Sequence, residues 1–223
     1  MEIGPGTGIL TDIIFQSSSL PFFAFEVDKE SILFLHEKYP AQKSKILEQD
    51  FLTADLNSFE LPWNIIGNFP YNISSQIFFK IYENHTSVEQ VVGMVQREVG
   101  ERIVSPPGSK AYGILSVLLQ AFFHIEYLFT VPPEVFKPPP KVQSAVIRLK
   151  RNDSKVLDCD EKLFKRVVKE AFGKRRKTLR NALKGLNLPS NLTEGEPFQQ
   201  RAEQLSVADF VSLTNMIAKA WKQ

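Results

Sequence analysis

The 223-residue sequence has one cysteine, Cys159, three histidines and no apolar run long enough to cross a bilayer. A single thiol excludes an intramolecular disulfide and a cysteine-rich zinc cluster. His36, His85 and His124 are scattered along the chain, so no metal site is assigned. His36 and His85 read as solvent-facing helix positions. A membrane-spanning helix needs about 18 or more consecutive apolar residues, and without one no membrane partner is expected. The N-terminus lacks the charged-then-apolar order of a secretory signal, so the expected address is the cytoplasm.

What is present is ordinary in bulk and uneven in detail. Apolar residues make up 43% and charged residues 23%, which argues against global disorder. The length allows one large domain or a domain with a small appendage, and such a chain buries roughly 70% of its unfolded surface without staples. The net charge of +2 hides an asymmetry. From Lys162 to Lys184 there are ten basic residues against one acid, Glu170, for a local charge of +9. The other 17 basic and 24 acidic residues leave −7 elsewhere. A basic segment on an acidic body points to a polyanion met at one place.

From Met1 to about Lys150, strand patterns alternate with helical ones. Candidate strands are Phe22–Val27, Lys45–Gln49, Asn64–Gly67, Glu89–Val95, His124–Val131 and Val142–Leu149. Candidate helices are Gly8–Phe15, Lys29–Tyr39, Ser74–Tyr82 and Tyr112–Phe123. Such alternation predicts βαβ units and a mainly parallel sheet. Only the proline-rich Pro132–Pro140 separates the last two strands, which predicts an antiparallel final pair. Asn152-Asp153-Ser154 reads as a linker. Helical patterns follow near Asp160–Phe172, Arg175–Leu186 and Val207–Lys222. The last opens on a capping-box variant, Ser206 with Asp209, ahead of an apolar face of Phe210, Leu213, Ile217 and Trp221. The expected division is residues 1–150 and a small all-helical domain, residues 151–223.

Three segments carry chemistry. The first is Glu2-Ile3-Gly4-Pro5-Gly6-Thr7-Gly8, at a strand end and before a helix. Glycines suit a tight turn that lets a ligand approach the backbone. The dinucleotide fingerprint needs a glycine where this chain has Ile9. The spacing G-x-G-x-G with an acid two residues ahead looks instead like the S-adenosyl-L-methionine loop of class I methyltransferases. Glu26, about 20 residues on at the end of the second strand, is spaced to accept ribose hydroxyls. Asp50, with Phe51 beside it, ends the third strand, where an acid faces the ligand crevice; alone, Asp50 serves equally well as a helix cap.

The second segment is Asn68-Phe69-Pro70-Tyr71, directly after a strand, which resembles the N-x-P-Y motif of enzymes that methylate exocyclic amines of bases. Adenine's amine lone pair is delocalised into the ring, so the nitrogen is a poor nucleophile. Two acceptors on its N–H groups, the Asn68 side-chain oxygen and the Phe69 carbonyl, would draw it toward tetrahedral geometry. Pro70 stiffens the bend, and Tyr71 offers a face to an extruded base. The third segment is Val131–Val142, whose prolines hold an extended loop. Phe136 is the candidate for the other wall of the base slot, with a core position as the competing reading. Arg97, Arg102 and Lys110 are candidate phosphate contacts, with surface ion pairs the competing reading.

Taken in order, these segments resemble the small-subunit rRNA adenine dimethyltransferases, the kasugamycin-resistance methyltransferase family. Further matching stretches are Ser144-Ala145-Val146 and Phe172–Asn181, and the resemblance covers essentially the whole chain. It implies a Rossmann-like class I α/β methyltransferase sheet, residues 1–150, with its first strand truncated, followed by a helical rRNA-binding domain, residues 151–223. It implies S-adenosyl-L-methionine as cofactor and dimethylation of two adjacent adenosines near the 3′ end of 16S rRNA, with a role in small-subunit assembly. Partners would be the small ribosomal subunit and 16S rRNA, met by a monomer. Carried over by position, Asn68, Phe69, Pro70, Tyr71 and Phe136 would act on the base. Glu2, Gly4, Gly6, Gly8, Glu26, Asp50, Phe51 and Asn68 would hold the cofactor. Arg97, Arg102, Lys110, Lys174, Arg175, Arg176, Lys177 and Arg180 would meet RNA. Family members carry a further N-terminal segment with a Gln-x-Phe-Leu motif, so this sequence is expected to be a fragment or mis-started product. The alternatives are a non-catalytic assembly factor of the same lineage and a 23S rRNA adenine methyltransferase.

Overall fold

The computed structural model describes residues 1–18, 20–153, 156–174 and 176–222. In chain order they form β1 (Glu2–Ile3), α1 (Ile9–Ser17), β2 (Ala24–Glu26), α2 (Lys29–Lys38), β3 (Ile46–Glu48), β4 (Trp63–Asn68), α3 (Ser74–Glu83), β5 (Val88–Gln96), α4 (Arg97–Val104), α5 (Ile114–Gln120), β6 (Phe123–Val131) and β7 (Ser144–Arg151). Four helices follow, α6 (Glu161–Gly173), α7 (Leu179–Ala182), α8 (Ser190–Thr193) and α9 (Val207–Ala220).

The strands make one seven-stranded sheet, ordered β3-β2-β1-β4-β5-β7-β6. The neighbours from β3 to β5 pair in parallel. β7 runs antiparallel to β5, from Gln90↔Lys150 to Gln96↔Ser144. This is the expected α/β sheet, with the last two strands adjacent at one edge. β1 supplies only Glu2 and Ile3, which pair with both β2 and β4 at the centre of the sheet. The strand order reverses between β1 and β4. In an open α/β sheet that switch point opens a crevice beyond the carboxyl ends of the strands. The glycine loop leaves β1 there, and Asn68 ends β4 there.

Close contacts divide the chain into two compact units: Met1–Gly100 with Glu126–Arg151, and Glu101–Ile125 with Asn152–Gln223. This division differs from the sequence boundary over Glu101–Ile125. The reason is α5, whose buried Val117, Leu118 and Leu119 belong to a helix packed on α6 and α9. Within the second unit Asp160 caps α6 by accepting the Leu163 N–H at 2.7 Å. The Ser206–Asp209 capping box opens α9 as expected: Oδ2 of Asp209 accepts the Ser206 N–H at 2.9 Å, and Oγ of Ser206 accepts the Asp209 N–H at 3.2 Å. Phe210, Leu213 and Ile217 are buried, whereas Trp221 lies past the helix end, 45% exposed.

Three local expectations are corrected. The expected helix over Arg175–Leu186, of which Arg175 lies outside the described residues, is replaced from residue 176 on: among the described residues α7 and a 3-10 turn over Leu183–Leu186 form. The first turn of α7 is tied outward, with the Leu179 and Arg180 N–H groups donating to the Gln200 and Phe198 carbonyls at 2.7 and 2.9 Å. His85 is buried, its Nδ1 2.9 Å from the Tyr82 carbonyl and its ring stacked on Tyr82. His36 is half-buried, with Nε2 3.0 Å from the Ile46 carbonyl.

Candidate active site

The glycine loop is shaped by backbone that only glycine adopts at no cost. Gly4, Gly6 and Gly8 have φ of 66°, 55° and 79°, in the left-handed region. Glu26 fastens the loop to the end of β2. One of its carboxylate oxygens accepts the Gly6 N–H at 3.1 Å. The other accepts the Val27 and Asp28 N–H groups at 2.8 and 3.0 Å. A carboxylate has about four acceptor positions, so one remains for a ligand hydroxyl. Glu2 is sealed in, 1% exposed, and accepts the Thr11 hydroxyl at 2.7 Å. Burial pushes its carboxyl above the ordinary range, and the Thr11 bond opposes that rise.

The far end of the loop is tied to the end of α2. The Tyr39 hydroxyl lies 2.6 Å from Oδ1 of Asp12 and 3.1 Å from the Gly8 carbonyl. The Lys38 ammonium donates to Oδ2 of Asp12 at 2.6 Å and to the Thr7 carbonyl at 3.3 Å. A methyl group on Gly8 would meet Leu35 and the Tyr39 hydroxyl at 2.9 Å, whereas one on Gly6 would meet nothing within 4 Å. Gly6 is therefore the open side of the loop.

Asp50 lies two residues beyond β3, with one carboxylate oxygen accepting the Leu52 N–H at 2.8 Å. Its other oxygen has no protein partner among the described residues. Phe51, expected beside the cofactor, is 3% exposed and packs edge-on against Phe25 at 5.5 Å. Its ring belongs to the core, so only its backbone is left to a ligand. The Lys80 ammonium lies 5.3 Å over that ring and donates to the Leu52 and Ala54 carbonyls at 3.0 and 2.6 Å. It fastens the turn that carries Asp50.

The bend after β4 stands next to this loop. A methyl group on Gly4 would sit 3.8 Å from the Asn68 carbonyl and from the Pro70 ring. Asn68 and Pro70 are exposed and Tyr71 is half-buried. Phe69 is 0% exposed. Its ring lies across Gly67 and Gly93, which face each other between β4 and β5. A methyl group on Gly93 would come within 2.6 Å of the ring, and one on Gly67 within 3.2 Å. Phe78 meets the same ring edge-on at 5.7 Å. Phe69 thus plugs the bend into the sheet and leaves its neighbours to face outward. Asn68, Phe69, Pro70, Tyr71, Phe136, Pro138 and Pro140 line one open cleft of about 260 Å³. The two segments that the sequence reading set as opposite walls of a slot therefore share it, although they lie some sixty residues apart.

With this geometry in hand, comparison with known proteins decides the lineage. A family model described as ribosomal RNA adenine dimethylase matches residues 1–219. The chain belongs to the ribosomal RNA adenine dimethylases. It is 53% identical to the ribosomal RNA small subunit methyltransferase A of Bacteroides thetaiotaomicron, over 100% of this chain and 84% of that one. With the protein of the same name from Cytophaga hutchinsonii the identity is 52%, over 98% and 85% of the two chains. Among solved structures, a dimethyladenosine transferase from Plasmodium falciparum superposes with a TM-score of 0.83 at 23% identity, covering 99% of this chain and 90% of that one. The 23S rRNA methyltransferase ErmE gives 0.72 at 23%, over 97% and 89%. At that identity the two structures speak for the fold.

Adenine dimethylases of this family are S-adenosylmethionine-dependent enzymes. The residues at the switch point fit that cofactor. The glycine loop is open at Gly6, Glu26 keeps one acceptor position, and Asp50 keeps a free carboxylate oxygen. All three sit at or beyond the carboxyl ends of the strands, where a nucleoside is held in sheets of this kind.

The basic candidates fall in different places. Arg97 belongs to the first unit, where it donates to Oε1 of Gln143 at 2.6 Å. Arg102 and Lys110 belong to the second unit and are exposed, as are Lys174, Arg176, Lys177 and Arg180. Arg175 lies outside the described residues. Among the described residues no cluster of three or more His, Cys, Asp or Glu could hold a metal, and no helix is long and apolar enough to cross a membrane.

The residues that support the site are not among the sequence candidates. Gly67 and Gly93 had a signal, since a glycine inside a strand marks a close approach. Tyr39, Asp12 and Lys38 had none, because their pairing arises only when α1 and α2 pack.

Proposed function

We propose that this dimethylase transfers methyl groups to the N6 amines of two adjacent adenosines near the 3′ end of 16S rRNA, giving N6,N6-dimethyladenosine in the small ribosomal subunit. It acts in the cytoplasm as a monomer and contributes to subunit assembly. The observation that supports this reading best is the cleft between Asn68–Tyr71 and Phe136, directly beside Gly4.

An adenine drawn out of its helix stacks between Tyr71 and Phe136, each such contact being worth about 1–3 kcal/mol. The Asn68 side-chain oxygen and the Phe69 carbonyl accept the two N6 hydrogens. That pulls lone-pair density out of the ring and aims it across the bend toward the glycine loop. S-adenosyl-L-methionine, when bound, supplies an electrophilic methyl on a sulfonium. With the cofactor held there, the N6 nitrogen would take that methyl as its bond to sulfur breaks, and the displaced N6 proton would leave to water. The residues contribute chiefly by position, which is how a bound pair of reactants gains most of its rate. Glu26 accepts the ribose hydroxyls and Asp50 the adenine amine of the cofactor, with Gly4, Gly6 and Gly8 bringing backbone close to it and Glu2 bracing the loop from below. Lys174, Arg175, Arg176, Lys177 and Arg180, with Arg97, Arg102 and Lys110, contact rRNA phosphates. Such contacts give binding that weakens steeply with salt.

The test is methyl transfer from tritiated S-adenosyl-L-methionine to small subunits that lack the modification. The parent chain is expected to label two adjacent adenosines, and Asn68→Ala to lose about a hundredfold or more in kcat. Binding of subunits without any labelling would make the chain an assembly factor. Labelling of large-subunit rRNA instead would move it to the other branch.

A further inference from the structure

The cleft has two walls from distant parts of the chain, and the question is what sets the angle between them. The hydroxyl of Tyr71 lies 2.5 Å from Oγ of Ser144. Ser144 is 0% exposed. It is the first residue of β7 and stands in register opposite Gln96 of β5. The residue before it, Gln143, is held twice by Arg97: the Arg97 N–H donates to the Gln143 carbonyl at 2.9 Å, and the guanidinium donates to Oε1 at 2.6 Å. The proline-rich loop that carries Phe136 enters β7 at this point. Ser144 is thus a fixed point at the root of one wall, and it grips the tip of the aromatic residue that forms the other.

We infer that Ser144 is a positioning residue for the methyl transfer, acting through its hydrogen bond to Tyr71 to fix the ring against which the adenine stacks. This rests on the proposed adenine N6 methylation. A tyrosine whose tip is held cannot swing about its Cα–Cβ bond, so the face it offers has one orientation. A phenylalanine there would stack as well but would not be aimed. The second methylation is the more sensitive step. A monomethylated amine has a single hydrogen left for two acceptors, so the ring carries more of the task of orienting it. Arg97, proposed above as a phosphate contact, also serves this framework through Gln143.

The experiment compares the full chain with Ser144→Ala, Tyr71→Phe and the double variant on unmethylated small subunits. Three quantities are read: kcat, the KM for subunits, and the proportion of monomethyl to dimethyl adenosine in the digested rRNA. Calorimetry with S-adenosyl-L-methionine checks that each variant still binds the cofactor. An intramolecular hydrogen bond is worth about two- to tenfold in an equilibrium. Each single variant is therefore expected to lose about two- to tenfold in kcat and to accumulate monomethyl product, with the KM and the cofactor affinity within about twofold of the parent. The double variant is expected to be no worse than the poorer single one, because both remove the same bond. Tyr71→Phe keeps the ring at a half-buried position and so reports on the bond even if Ser144→Ala disturbs β7. Parent-like kcat and product ratio in Ser144→Ala overturn the inference, and so do losses that multiply in the double variant. A parent chain that binds cofactor and labels no rRNA overturns the underlying reading instead, and this inference with it.

Discussion

The glycine loop and the Asn68–Tyr71 bend stand side by side at the switch point of the sheet, yet they are held in opposite ways. The loop has almost no side chains of its own. Its shape comes from left-handed glycines and is fixed by partners far along the chain: Glu26 on Gly6, Tyr39 on Gly8 and Lys38 on Thr7. The bend carries large side chains, and one of them, Phe69, anchors it from within over the Gly67–Gly93 pair. A loop meant to bring backbone to a ligand must be kept empty and braced from outside. A bend meant to present an amide and a ring can turn one residue inward as its main anchor, with Ser144 holding only the tip of Tyr71. The two are expected to fail differently.

The largest effect is expected at Gly93. Alanine there puts a methyl group 2.6 Å from the Phe69 ring. The ring is fully buried and packs edge-on against Phe78. Overpacking of this kind costs about 1–3 kcal/mol of stability. A bend displaced by about 1 Å loses about a hundredfold in rate. Gly93→Ala should thus cut methyl transfer about a hundredfold while calorimetry finds cofactor affinity within about threefold of the parent. An equal loss of both would show that the bend and the loop are one mechanical unit.

The loop is expected to show the reverse pattern, with a smaller loss. Alanine at a left-handed position costs about 1–2 kcal/mol. At Gly8 that strain is joined by contacts of 2.9 Å with Leu35 and the Tyr39 hydroxyl; at Gly6 the protein offers no obstacle. Gly8→Ala should weaken cofactor binding about thirtyfold and Gly6→Ala about tenfold, each leaving the KM for subunits near that of the parent. A larger loss at Gly6 than at Gly8 would mean that the cofactor, not the protein, sets the space above the loop.

What could be read in advance follows the same division. Gly4–Gly8 and Asn68–Tyr71 are each local, so their residue order was enough, and the alternation of strands and helices placed both at strand ends. The braces were not legible. Tyr39 meets Asp12 across 27 positions, and no periodicity encodes such a meeting. Phe51 looked like a cofactor neighbour because it follows Asp50, yet an aromatic residue beside Phe25 is better buried than exposed. The helical pattern over Arg175–Leu186 predicts one helix there. Bonds from Leu179 to Gln200 and from Arg180 to Phe198 instead begin a short helix at Leu179. The contrast between Gly93, whose nearest neighbour is a ring, Gly67, whose nearest neighbour is the Ile3 carbonyl, and Gly6, which faces open space, needs coordinates.

The smallest of these effects sharpens the comparison most, because it removes a brace and leaves the loop sequence intact. Tyr39→Phe deletes the hydroxyl that links Asp12 and Gly8, a bond worth about 1 kcal/mol. The expected result is about fivefold weaker cofactor binding with kcat at saturation unchanged. The pH dependence supplies an independent check. Burial, reinforced by Asp12 and opposed by Lys38, raises the Tyr39 phenol above its ordinary value of 10.0. The folded state therefore keeps a proton that the unfolded chain releases. This contribution to stability is complete below about pH 10 and is lost as pH rises through the folded value. The melting temperature of the parent should thus fall more steeply above about pH 10 than that of Tyr39→Phe, and the two curves should run parallel at neutral pH. Curves that stay parallel throughout would show that the hydroxyl is not held by the loop, and the outside brace would then reduce to Glu26 and Lys38.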